Sequence, residues 1–395
     1  MPPDTRGRLE EGDAMPDVRA TSGNYVAPPA DLARSSRDPQ ALRPRLETWL
    51  ASRFPAGAGV SQLEATAANG MSSETILFVA RWSDDDAPRE EQLVARLAPD
   101  PTDVPVFPSY DLERQFRAIQ RVGELTSVPV PRVWWYESEP RHLGTPFFVM
   151  SRVDGEVPPD VLPYNFGDSW LFEATLEERR RLQDASVRVL AELHAIERPE
   201  EEFAFLADDA RGDTALQRKV TQARKWYEWA TRDTGRAPLV ERAFAWLEAH
   251  WPSDGGDTVL NWGDSRIGNV IYQDFEPVAI LDWEMACLGP RELDVAWMVY
   301  AHRVFEDLAV DYGFPGMPDF LVLDDVVSTY ERTSGHSLDD LEFYTTLAAV
   351  QYAIVFLRTG HRSIHFGERD APEEVDELIM NRRPLELMLA GEYWR

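Results

Sequence analysis

The stretch that decides the reading of this chain runs Val259-Leu260-Asn261-Trp262-Gly263-Asp264-Ser265-Arg266-Ile267-Gly268-Asn269-Val270-Ile271-Tyr272. It continues through Gln273-Asp274-Phe275-Glu276-Pro277 to Val278-Ala279-Ile280-Leu281-Asp282-Trp283-Glu284. Its flanks are short apolar runs and its middle carries turn residues, which predicts a β-hairpin. With the turn centred between Phe275 and Glu276, Gln273 faces Val278, and Asn269 faces Asp282 at the open end. A carboxylate and an amide oxygen side by side make a hard-oxygen pair suited to Mg²⁺, with phosphate oxygens completing the shell. Asp264 sits in the Gly-containing loop beside that pair. A carboxylate there is placed to accept the proton of an attacking hydroxyl, and Arg266 to neutralise charge next to it.

The pattern Gly263-Asp264-x-Arg266-x-Gly268-Asn269, followed by Ile280-Leu281-Asp282-Trp283-Glu284, resembles the aminoglycoside phosphotransferase and choline kinase superfamily, a branch of the protein-kinase-like fold. The subgroup it looks most like includes the kinase-like domains attached to some acyl-CoA dehydrogenases. The run Gly289-Pro290-Arg291-Glu292-Leu293-Asp294-Val295-Ala296 also fits. The likeness covers roughly residues 40–360. It implies an α+β, bilobal, protein-kinase-like fold with a β-rich N-lobe and a mainly helical C-lobe holding a catalytic β-hairpin. It also implies Asp264 as catalytic base, Asn269 and Asp282 as magnesium ligands, and Asp294 as an anchor of the catalytic loop. One departure is Trp262, where the family usually has His. Trp fills a packing role equally well if its indole N–H finds a carbonyl.

On the nucleotide side, Gly70, Ser72 and Ser73 stand just before the apolar run Ile76–Ala80. Glycine and small hydroxyl residues let backbone N–H groups approach a phosphate. No P-loop signature is present. Kinase-like folds set a strand lysine against the nucleotide phosphates, paired with a helix glutamate. The only lysines here are Lys219 and Lys225, far beyond this region. Arg96, in Leu93-Val94-Ala95-Arg96, takes the matching place and can bind phosphate in a bidentate manner. Its expected helix partner is Gln115 or Glu113, which point to different helix faces. The run Phe147–Gly155 resembles the hinge between lobes. The resemblance makes Met150, the Ser151 carbonyl and the Val153 N–H the contacts to adenine.

Outside these motifs, the formal net charge of -29 excludes a nucleic-acid binder with a basic footprint. It suits a cationic small-molecule acceptor, and equally a generally acidic surface. A single cysteine, Cys287, precludes an intramolecular disulfide. No apolar signal core and no run near the ~20 apolar residues of a membrane span are visible, so the reading is a cytoplasmic protein without a membrane partner. Residues 1–37 read as a polar tail, 38–151 as a nucleotide-binding lobe of strands with a helix over 110–122, and 152–395 as a catalytic and acceptor-binding lobe. Helical period runs over 176–197, 214–231 and 239–250. His361 and His365, four apart, have the spacing of a zinc pair without a third ligand.

The expectation is an ATP- and Mg²⁺-dependent phosphotransferase acting on a hydroxyl of a small molecule: an aminoglycoside-like compound, an amino alcohol or a hydroxy-acyl compound. The alternative is a catalytically silent, nucleotide-binding regulator of the same fold, suggested by Arg96 and Gln115 standing where lysine and glutamate are usual.

Overall fold

The structure is a computed structural model, and it describes residues 39–54, 58–65, 74–84, 87–100, 104–207, 210–253 and 255–394. Gly70, Ser72 and Ser73 lie outside the described residues.

The N-lobe contains α1 (Pro39–Arg53), β1 (Gly59–Ala65), β2 (Glu74–Asp84), β3 (Ala87–Leu97), α2 (Leu112–Leu125), β4 (Val133–Glu137) and β5 (Phe147–Ser151). The strands form one antiparallel sheet in the order β1-β2-β3-β5-β4. Alternation along β3 divides its side chains between two layers. Leu93, Ala95 and Leu97 pack with Leu46, Trp49 and Leu50 of α1, while Val94 packs with Ile119 and Val122 of α2. Arg96 therefore leaves β3 on the Val94 side. The α2 helix starts where Asp111 Oδ1 accepts the Arg114 N–H at 2.9 Å, a side-chain cap for an otherwise unpaired donor.

The C-lobe is mainly helical: α3 (Trp170–Glu173), α4 (Leu176–His194), α5 (Pro199–Glu202), α6 (Ala215–Thr234), α7 (Pro238–Ala249), α8 (Glu292–Tyr312), α9 (Leu323–Ser334), α10 (Leu341–His365) and α11 (Arg382–Leu389). Reciprocal capping boxes, Thr175 with Glu178 and Thr214 with Gln217, begin α4 and α6. Four short strands lie between α7 and α8: β6 (Val259–Asn261), β7 (Val270–Gln273), β8 (Glu276–Ile280) and β9 (Cys287–Gly289). The β-rich N-lobe and helical C-lobe match the expected class.

Two details of the C-lobe correct the sequence reading. The hairpin is not the only β structure, because β6 pairs with β9 in a second antiparallel ladder. The hairpin register also differs from the expected one, by two residues next to the turn and by one beyond the bulge. Gln273 pairs with Glu276, Tyr272 with Pro277, and, after a bulge, Ile271 with Ala279 and Val270 with Ile280. The turn is Asp274–Phe275, both at positive φ, 50° and 63°. Two left-handed residues match the twist of the flanking strands, which is why the chain turns there. Consequently the Asn269 carbonyl accepts from the Leu281 N–H at 2.8 Å, and Asp282 lies one step beyond that pair, where its own φ of 57° ends the extended run.

The segment leaving β5 is tied to the hairpin by a two-way backbone bridge between Glu156 and Tyr272, at 2.9 and 2.8 Å. Gly155 permits this approach, since a Cβ there would stand 2.6 Å from the Tyr272 carbonyl oxygen.

Candidate active site

The loop between β6 and β7 is fastened from below. Asp294, in the first turn of α8, accepts the Trp262 N–H at 2.7 Å and the Gly263 N–H at 2.8 Å. Ser265 donates to the Asp294 carbonyl at 2.7 Å. His194 approaches the same carboxylate at 3.3 Å, and its other ring nitrogen meets the Tyr330 hydroxyl at 2.7 Å. His194 thus belongs to the polar support of the loop. The Trp262 indole donates to the Leu281 carbonyl at 2.8 Å, the partner its sequence position requires.

Asp264 is the focus of this loop. Its Oδ1 accepts the Trp297 indole N–H at 2.8 Å. Its Oδ2 accepts from Asn269 Nδ2 at 2.6 Å and from Arg266 Nε at 3.2 Å. Three donors from α8, the loop and the root of β7 fix the plane of one carboxylate. Arg266 also pairs with Asp160, from the segment that follows the lobe connection. Burial acts to lower the Arg266 pKa, but Asp160 and Asp264 outweigh it and hold the guanidinium well above its ordinary value. Burial first, then the charge of Asp264, pushes the Tyr352 hydroxyl of α10 far up, so this phenol beside the site stays protonated. Trp297, Asp160 and Tyr352 were not singled out from sequence. Only Trp297 had a usable signal, standing three residues after Asp294 on a helix and therefore on the same face.

Across from this loop, Arg96 donates to Thr75 Oγ1 at 3.0 Å, and its Nη2 lies 3.2 Å from Asp282 Oδ1. That contact is an ion pair without hydrogen-bond geometry, and both atoms are buried with no hydrogen-bond partner. The expected helix partner is not confirmed: Gln115 is buried on α2, and neither it nor Glu113 bonds to Arg96. The Asp282 carboxylate stands where a helix glutamate was expected to act. Burial, then Glu284 and Asp282, raises the Tyr110 hydroxyl nearby. At the lobe connection, Met150 and Ser151 close β5, and the Val153 N–H has no partner among the described residues. The Ser151 hydroxyl accepts from the Trp134 indole at 2.9 Å.

The donor set suits a hard cation. Asp282 offers a buried carboxylate oxygen without a hydrogen bond, and Asn269 spends its amide N–H groups on Asp264, leaving its oxygen for another partner. Among the described residues no three His, Cys, Asp or Glu side chains gather as a metal cluster, and His361 and His365 acquire no third ligand.

A profile of the phosphotransferase enzyme family matches residues 70–319. The chain belongs to this family. It is similar to the probable acyl-CoA dehydrogenase IBR3 of Arabidopsis thaliana, 28% identical over 233 residues, which are 54% of this chain and 27% of that protein. It is likewise similar to acyl-CoA dehydrogenase family member 10 of Mus musculus, 28% identical over 227 residues, 57% of this chain and 20% of that one. The chain therefore spans about a quarter of the length of these curated relatives. Among solved structures, a putative aminoglycoside phosphotransferase from Ralstonia eutropha superposes with a TM-score of 0.62 at 20% identity, covering 89% of this chain and 97% of that one. ADP-bound aminoglycoside phosphotransferase APH(2'')-Ib gives a TM-score of 0.51 at 13% identity, with 88% and 97% covered. At such identities the likeness is one of fold. Family membership makes this chain a phosphotransferase by type.

Proposed function

We propose that this phosphotransferase moves the γ-phosphoryl group of ATP, presented with Mg²⁺, to a hydroxyl of a small molecule. The observation that carries the reading is Asp264, a carboxylate held by Trp297, Arg266 and Asn269 on a loop that faces the Arg96–Asp282 pair. Its Oδ1 has one donor and its Oδ2 has two, so Oδ1 keeps the freer lone pair and is the atom to take the proton of the acceptor hydroxyl. Arg266, kept charged by two carboxylates, offsets negative charge on the transferring group. Arg96 binds the nucleotide phosphates once its contact with Asp282 is exchanged for one with phosphate, a partner that matches its planar fork.

Asn269 and Asp282 would hold Mg²⁺, which when bound offsets the charge of the phosphate oxygens. Met150, the Ser151 carbonyl and the Val153 N–H would receive adenine, and the loop of Gly70, Ser72 and Ser73 would cover the phosphates. The division into a nucleotide lobe over 38–151 and a catalytic lobe over 152–395 belongs to the same proposal. Nucleotide use is supported by relatives of the fold described with ADP and with GDP.

The test is a mass-spectrometric screen for MgATP-dependent phosphorylated products across aminoglycosides, amino alcohols and hydroxy-acyl compounds. Asp264→Ala is expected to lose about 10²–10⁴-fold in turnover while retaining ATP affinity. ATP binding without any product, with basal ATP hydrolysis the same in Asp264→Ala, would instead mark a silent nucleotide-binding regulator.

A further inference from the structure

By its place in the chain α2 belongs to the N-lobe, but its polar bonds run the other way. Arg114, Arg117 and Arg121 stand at i, i+3 and i+7, on one helix face. Arg114 Nη2 donates to the Ala207 carbonyl at 2.5 Å, and Arg121 Nε donates to Glu202 at 3.0 Å. The Arg117 guanidinium lies over the Phe205 ring, 4.1 Å from its centroid. All three partners belong to the C-lobe stretch from α5 to Ala207. Among the described residues, no hydrogen bond or ion pair joins a side chain of α2 to a strand of the sheet.

The chain on either side of α2 is tied down in the same direction. Before it, the Pro105 carbonyl accepts from Nε and Nη2 of Arg358 on α10, at 3.1 and 3.0 Å. The Val106 carbonyl accepts the Trp226 indole N–H of α6 at 3.0 Å, and Phe107 stacks on the same indole at 4.9 Å. After it, the Ser127 N–H donates to Glu192 of α4 at 2.8 Å, and the Pro129 carbonyl accepts the Ile280 N–H of β8 at 2.8 Å. What α2 shares with the sheet is apolar: Ile119 and Val122 pack with Val94, and the Phe116 ring lies 6.2 Å from that of Phe148. Apolar packing has no preferred direction and lets surfaces slide, whereas hydrogen bonds demand fixed geometry. The sheet is a unit of its own, since β3 pairs along β5, and β5 along β4. Helix α1 goes with it, through its apolar face and the Trp49 indole bond to Glu137 of β4 at 3.0 Å. A boundary between two bodies thus runs between α2 and the sheet, and the Arg96–Asp282 pair crosses it.

We propose that residues 104–130, α2 included, are a fixed part of the C-lobe held by the arginine face, and that the sheet with α1 closes past them as a separate cap when nucleotide enters. The cap carries Arg96, which exchanges Asp282 for phosphate as it moves, while Glu113 and Gln115 stay behind with the C-lobe. The placement of α2 does not rest on the phosphotransfer reading above; nucleotide as the closing ligand does.

Spin labels on the full chain test this, two at a time, at Ala51→Cys on α1, Gln120→Cys on α2 and Glu177→Cys on α4. All three positions are exposed, and the native Cys287 is buried. Distances are read by double electron–electron resonance in the free chain and with Mg²⁺ and a non-hydrolysable ATP analogue, whose binding is measured separately by calorimetry. With the analogue bound, the Ala51–Gln120 and Ala51–Glu177 distances are expected to shift together, and Gln120–Glu177 to keep its free-chain value. In the free chain, both Ala51 distributions are expected to be broader than Gln120–Glu177. Combining Arg114→Met with Arg121→Met is expected to broaden Gln120–Glu177, and Glu202→Gln gives a second reading should that chain fail to fold. A Gln120–Glu177 distance that moves with α1, three distances unchanged by the bound analogue, or a Gln120–Glu177 distribution that stays narrow without the arginine contacts overturns the proposal. An analogue that does not bind defeats nucleotide use. The free-chain widths then decide the placement of α2, and equal widths in all three pairs overturn it.

Discussion

At the scale of single residues, the orientation of Asp264 depends on donors from three different places in the chain. Trp297 is the one most open to test, because its indole N–H is the one donor to Oδ1 among the described residues. Trp297→Phe keeps an aromatic ring against Tyr352, whose centroid lies 4.8 Å away, and removes only the donor. A hydrogen bond to a charged group contributes about 1.5–3 kcal/mol, so kcat is expected to fall roughly ten-fold or more with KM for ATP little changed. An unaltered kcat with a lower Tm would reduce Trp297 to a packing role.

At the scale of elements, local patterns were legible and pairings between distant segments were not. The helices over 176–194, 215–234 and 238–249 were legible as helical period over 176–197, 214–231 and 239–250, a signal written within one segment. The β6–β9 ladder joins strands of three residues each, too short to carry a period and paired across more than twenty residues of chain. The hairpin turn was misplaced by one residue because Asp274–Phe275 contains no glycine to mark its positive φ values. The partner of Arg96 was sought on a nearby helix, whereas the structure supplies Asp282 from the other lobe. No local pattern reports a contact over that separation. The β6–β9 register also explains Gly263. Asn261 pairs with Cys287, and two steps further Gly263 meets Met285, at a φ of 93°, where a Cβ would stand 2.1 Å from the Met285 carbonyl oxygen. Because that obstacle is backbone, the strain cannot be relieved by a rotamer change. Gly263→Ala is expected to cost about 2–4 kcal/mol in chemical denaturation and to displace Asp264, lowering activity in the molecules that fold. Wild-type stability in Gly263→Ala would show that the loop is looser than its hydrogen bonds imply.

At the scale of the whole molecule, the two lobes are joined by polar contacts as much as by apolar ones. The Arg96–Asp282 pair spans the cleft, and the segment after the connection is locked to α8 by a buried network. Tyr164 meets His302 Nδ1 at 2.7 Å, Asn165 donates to Glu306 at 2.7 Å, and the Met317 N–H donates to the same carboxylate at 2.6 Å. His302 Nε2 reaches the Met317 carbonyl at 3.2 Å, which assigns the proton to that nitrogen and leaves Nδ1 to accept from the tyrosine. Burial, opposed by the Met317 bond and aided by Arg303, pushes the His302 pKa down to about 3. The unfolded chain binds this proton below its ordinary value of 6.5, while the folded chain refuses it until about 3. Stability from this group is therefore complete above pH 6.5 and is lost as pH falls towards 3. Between pH 7 and pH 5 the loss amounts to roughly 2 kcal/mol. His302→Gln keeps a donor and an acceptor without a titrating group. Its unfolding free energy, measured by urea denaturation at both pH values, is expected to decline less across this interval than that of the parent chain. The acidic surface titrates equally in both proteins and cancels in the comparison. Parallel declines would mean that His302 takes its proton in the folded state, with the Tyr164 contact rearranged to accommodate it.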